Sequence, residues 1–129
     1  MMPTLLLCSA AILVFIGCAH SYLGERVVFN RLFALPDLPL LHGDRRYTEQ
    51  VLQFAWHLTS LAWWGFAAVV ALLAGTVATP RLVGMLIGAT VALSGAVIVV
   101  TAGRRHPAWW MFLVAGAGIV AGSTFIGQA

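Results

Sequence analysis

Four stretches of the chain, residues 1–24, 50–80, 82–103 and 106–129, contain no Asp, Glu, Lys or Arg. An α-helix needs about 20 mostly apolar residues to cross a hydrocarbon core of about 30 Å, and each stretch can hold such a run. Hydrophobic residues make up 61% of the 129 and charged residues 9%. An ordinary soluble domain is about 25% charged, so this chain has too few charges to cover a water-facing surface. Disorder, whose mark is low hydrophobicity with high charge, is excluded by the same numbers. No ten-residue alternation of apolar and polar residues suggests a membrane β-barrel. The reading is an all-α integral membrane protein, a four-transmembrane-helix bundle forming a single membrane domain over 1–129.

The spans are expected near 5–23, 54–75, 82–102 and 108–126, and the punctuation agrees. Thr79-Pro80 reads as an N-cap followed by proline at the first helical position, opening the third span. Gly103 closes it, and His106-Pro107 opens the fourth. Asp44 or Thr48 can cap the lead-in to the second. Short connections make the second, third and fourth spans antiparallel neighbours. No basic residue precedes the first apolar run, so that segment is expected to be a retained span and not a cleaved signal peptide.

Absences remove whole classes of chemistry. Without a lysine there is no Schiff base and no Walker-type phosphate loop. The four acidic residues, Glu25, Asp37, Asp44 and Glu49, lie in one stretch between apolar segments, too few for a carboxylate relay through the membrane or a carboxylate di-iron centre. Cys8 and Cys18 form neither a CxxC nor a CxxCH pair. A net charge of +3 is explained by arginines flanking membrane spans, with no nucleic acid as partner. Arg26, Arg31, Arg45, Arg46, Arg104 and Arg105 fall on one side of the predicted spans and Arg81 on the other. The arginine-rich loops are therefore expected to be cytoplasmic and both termini outside, in a membrane of the bacterial inner-membrane kind.

Small residues suggest where helices meet. Gly84, Gly88 and Ala92 recur at four-residue spacing on the third span, and Gly118 and Gly122 on the fourth. Such rows let backbones approach closely, either within the chain or, through Gly84, Gly88, Gly118 and Gly122, in a homo-oligomer or a larger membrane complex. Residues 24–49 are long for a helix connection. They read as an apolar cytoplasmic flap, whose first part, residues 25–35, either extends the first helix or lies along the lipid interface. If the helix continues, Glu25 shares a face with Val28, Phe29 and Leu32, and either Arg104 or Arg105 supplies its partner or it reaches water.

Counting about 1.5 Å per residue, His20 and His57 fall level with one another on the cytoplasmic side, with His106 nearer the interface and His42 in the flap. An ionisable residue inside a span is a candidate functional residue, and imidazole is a common ligand of metal and haem. His20 and His57 are candidate ligands of a haem b or, with His106 or Glu25, of a metal ion. The competing reading is that each histidine only bonds a nearby serine, Ser21 or Ser60, or a carbonyl. Gln53, His57, Ser60 and Trp64 form one helical stripe that should face protein. Trp64 either lines a pocket for a flat ligand such as a quinone or fills space opposite the glycine-rich third and fourth helices. Three functions follow: a site for haem, metal or a quinone- or lipid-like ligand built from His20, His57, His106, Trp64, Glu25 and Ser60; a non-catalytic accessory subunit; or an oligomeric small-solute transporter. An apolar outward half weighs against the last.

Overall fold

The computed structural model describes residues 2–126. Its helices are α1 (Met2–Leu32), α2 (Arg45–Ala74), α3 (Pro80–Ala102) and α4 (Ala108–Thr124), and no strand occurs among the described residues. The first three are long and apolar enough to cross a membrane. The fourth is apolar but has 17 residues, ending at Thr124 where the sequence suggested 126. Ser123 and Gly122 carbonyls accept from Ile126 and Phe125, so the chain leaves the helix through a turn.

Successive helices pack on one another: α1 against α2, α2 against α3, and α3 against α4. At the arginine-rich end, Phe54 of α2 meets Ile98 and Ala102 of α3, and Trp109 and Phe112 of α4 pack around them. Elsewhere large apolar side chains cover the outside, Phe15 at 72% exposure among them. An exterior of this kind suits lipid, which forms no cage of ordered water around it.

The glycines of α3 set its distance to α4. A Cβ on Gly88 would stand 2.9 Å from the Gly116 carbonyl, and one on Gly95 2.7 Å from the Trp109 carbonyl. Gly84 faces the Ser123 hydroxyl, and Gly116 lies against the Ala92 backbone. Gly84 and Gly88 are thus consumed inside the chain. Gly118 and Gly122 are not their counterparts, since a Cβ on either would meet nothing within 4 Å. The register puts Gly116, Val120 and Ser123 on the buried face instead.

The segment between α1 and α2 is held by its own polar groups. The helix of α1 passes through a π-helical turn at Gly24–Phe29 and continues to Leu32. The Arg45 guanidinium then donates to the carbonyls of Phe33 and Leu35 and to Glu49. Leu38 is buried, and the Leu41 N–H donates to the Thr48 hydroxyl. His42 adopts a positive φ of 53° beside Gly43 at 70°. This tether lets α2 start at Arg45, so that the capped lead-in and the apolar span expected from 54 form one helix.

Of the two expected caps, Asp44 takes the role, accepting from the Tyr47 N–H at 3.0 Å, and its other oxygen accepts from Arg105 at 2.9 Å. The Tyr47 N–H, and then Arg105, hold the Asp44 carboxyl below its ordinary value of 3.8. Because the folded value is the lowered one, the contribution is complete above the unfolded value and fades as pH falls through the folded one. Asp44→Ala is therefore expected to lower the denaturation midpoint at neutral pH. Scanning both proteins in detergent should show that gap closing only below 3.8; a gap constant down to strong acid would refute the cap's ionisation. At the other end Thr79 caps α3 by accepting from Leu82, with Pro80 at the first position as the sequence suggests.

Candidate functional site

The α1–α2 interface is built on two tryptophans seated over two glycines. Trp56 lies against Gly24 and Trp64 against Gly17, an antiparallel pairing in which a Cβ on either glycine would collide with the indole. Each indole N–H finds a carbonyl of α1: Trp56 donates to His20 at 2.9 Å, and Trp64 to Val14 at 3.3 Å. Trp64 thus has the in-bundle partner a mid-span indole requires. The space it fills is on α1, and not on the third or fourth helix as the sequence suggested.

Alongside the two tryptophans runs a continuous polar chain. Glu25 Oε1 lies 2.7 Å from His57 Nε2, Ser21 Oγ lies 2.9 Å from His57 Nδ1, and Ser21 Oγ lies 2.7 Å from Ser60 Oγ. Gln53 approaches both Glu25 oxygens at 3.4 and 3.5 Å. Residues 21 and 25 sit one turn apart on α1, and 53, 57 and 60 at spacings of four and three on α2, so two helical faces suffice to assemble it. The stripe on α2 does face protein, and the protein is α1.

An ionised carboxylate can only accept, so with Glu25 charged the His57 Nε2 carries the hydrogen between them. In a neutral ring Nδ1 then accepts from Ser21, whose oxygen accepts from Ser60. In a charged ring Nδ1 donates to Ser21, which donates to Ser60. Rotating two hydroxyls interconverts these patterns without moving a heavy atom. The chain is also graded in access: the Glu25 side chain is 46% exposed, that of His57 28%, and Ser60 only 1%. One end meets the surroundings and the other ends inside the fold.

The remaining candidates fall elsewhere. His20 stacks flat on Trp56, with centroids 4.2 Å apart and planes within 2°. His106 sits edge-on to Phe54 and accepts from the Ala108 N–H, on the core side of α2 away from α1. Among the described residues no three His, Cys, Asp or Glu side chains form a group suited to a metal ion. Of the two alternatives for Glu25, pairing with Arg104 or Arg105 does not occur; the carboxylate bonds His57 and stays 46% exposed. Arg105 is drawn to Asp44 and the Tyr47 ring, and Arg104 to Trp109, because the α3–α4 connection packs beside the start of α2. Sequence spacing placed His57, Ser60 and Glu25 but gave Ser21 only as a neighbour. Its signal was a serine one turn before the sole acidic residue of the α1 extension. Comparisons with family models, curated proteins and solved structures find no match.

Proposed function

We propose that the chain is a four-span membrane protein, arginine-rich end cytoplasmic and both termini outside, that binds a lipid-soluble ligand at Glu25 and His57. The observation that carries this reading is the His57 imidazole bonded through both nitrogens, to an accessible carboxylate on one side and a buried hydroxyl pair on the other. The 17 residues of α4 reach about 25 Å at 1.5 Å per residue, enough for a slightly thinned core. Glu25 and His57 then lie near the cytoplasmic edge of the hydrocarbon.

Glu25 Oε2 is engaged only by the long Gln53 contact of 3.5 Å. It is the open acceptor of the chain. A ligand hydroxyl arriving from the cytoplasmic leaflet would donate to it, with Gln53 donating back and His57 responding to the change in charge. A quinol, with a flat ring and an apolar tail, has this chemistry, and the packed rings of Phe29 and Trp56 beside His57 make the setting apolar. A metal or haem at His57 fits less well, because it would have to take a nitrogen already bonded to Glu25 or Ser21. Titrating the purified protein in mild detergent with a short-chain quinol, and following tryptophan fluorescence, tests the reading; saturable quenching is expected.

A second reading, an accessory subunit or homo-oligomer, draws on the open row of Gly118 and Gly122. It makes Gly118→Leu change the oligomeric state while leaving quinol binding intact.

A further inference from the structure

Beside the start of α2 lies a second polar recess that the His57 chain does not use. It has a volume of about 380 Å³ and is walled by the first turns of α2, the last turn of α3 and the α3–α4 connection. Its charges are unevenly satisfied. Arg105 is held by Asp44 at 2.9 Å and lies over the Tyr47 ring at 5.1 Å. Arg46 lines the same recess, and among the described residues its side chain has no hydrogen-bond or ion-pair partner, nor has that of Gln50 one turn further on. On the opposite wall stand Thr101 and Gly103, at the C-terminal and therefore partly negative end of α3. Val100, 84% exposed, forms an apolar rim next to this polar interior.

The recess thus combines a donor half and an acceptor half that meet at the Asp44–Arg105 pair. Arg46, Arg105 and the Gln50 amide can donate to phosphate oxygens. Asp44, which accepts from the Tyr47 N–H through one oxygen and from Arg105 through the other, can also accept from an ammonium, as can the negative helix end. A purely anionic group would satisfy the first half and be repelled by the second. We infer that this recess binds one zwitterionic phospholipid headgroup carrying a phosphate and a primary ammonium, of the phosphatidylethanolamine type, with its acyl chains passing over Val100. The inference rests on the membrane placement of the four helices but not on the His57 site.

Native mass spectrometry of the full chain in detergent, with phosphatidylethanolamine, phosphatidylglycerol and phosphatidylcholine added in turn, tests it. One phosphatidylethanolamine per chain is expected, held about tenfold more tightly than phosphatidylcholine, whose quaternary ammonium cannot donate. Arg46→Gln should weaken it by about tenfold, whereas Arg104→Gln, whose guanidinium leans on Trp109 at 5.9 Å and does not line the recess, should not. Asp44→Asn, which keeps a capping oxygen, should narrow the preference over phosphatidylglycerol. Equal retention of all three lipids, or equal losses from Arg46→Gln and Arg104→Gln, would show only general attraction to arginine and overturn the site. Preference for phosphatidylglycerol would overturn the two-part recognition. Displacement of the lipid by millimolar inorganic phosphate alone would make free phosphate the ligand.

Discussion

Gly116→Leu is expected to be the most damaging single substitution in α4, lowering stability by about 3 kcal/mol or more, beyond the usual 1–3 for overpacking. A Cβ at Gly116 would stand 2.7 Å from the Ala92 Cα, and that obstacle is backbone, which cannot rotate aside. The two helices would have to separate along their whole contact, undoing the approach at Gly88 and Gly95 as well. A Cβ at Gly118 or Gly122, on the same helix, would meet nothing within 4 Å, so both face open space. Leucine at those positions gains about 1 kcal/mol of helix propensity over glycine and should be neutral or mildly stabilising. Denaturation by a graded ionic detergent, followed by circular dichroism, compares the three directly. If Gly118→Leu or Gly122→Leu proved as damaging as Gly116→Leu, the α3–α4 register would be wrong, or that face would be covered by another chain.

The second large effect concerns binding. His57→Gln should weaken a short-chain quinol by about tenfold, which corresponds to 1.4 kcal/mol. A hydrogen bond to a charged group contributes about 1.5–3 kcal/mol, and the lower end applies because Glu25 is 46% exposed and water screens the pair. Glu25→Gln should weaken binding at least as much, since it removes the charge that the ligand hydroxyl meets first. Ser21→Ala should cost less, because it cuts the chain on the side away from the ligand. His106→Gln should cost nothing, its ring being placed against Phe54. Tryptophan quenching reads all four variants. A loss shared equally by His106→Gln would mean that the ligand binds the apolar exterior at large.

Much of the helical layout was legible in the sequence because membrane helices are specified by simple runs, and because caps such as Thr79-Pro80 and the stop at Gly103 act locally. The stripe of Gln53, His57, Ser60 and Trp64 was legible for a related reason: helical periodicity groups residues on one element without knowledge of the others. Its partner was not legible. Gly17 and Gly24 are spaced seven apart and do not form the four-residue row that draws the eye, yet they are what Trp64 and Trp56 sit upon. The same limit explains the arginine error. Arg104 and Arg105 lie at the correct depth for Glu25, but depth says nothing about rotation around the bundle, and α1 and the α3–α4 connection stand on opposite sides of α2. His106 was misgrouped with His57 in the same way. Gly118 and Gly122 met the small-residue rule perfectly and still faced outward, since a close contact needs a register as well as a motif.

The hydrogen-bond chain and its ligand can be read together from the ring nitrogens of the four histidines. In protein labelled with ¹⁵N-histidine, His57 is expected to show an Nε2 resonance bonded to a carboxylate, and to shift on adding quinol while His20, His42 and His106 stay in place. The shifting signal should be the one missing from His57→Gln, and Glu25→Gln should move it before any ligand is added. A His57 resonance indifferent to both Glu25→Gln and quinol would contradict the proposed site and leave Glu25, His57, Ser21 and Ser60 as the polar seam that joins α1 to α2.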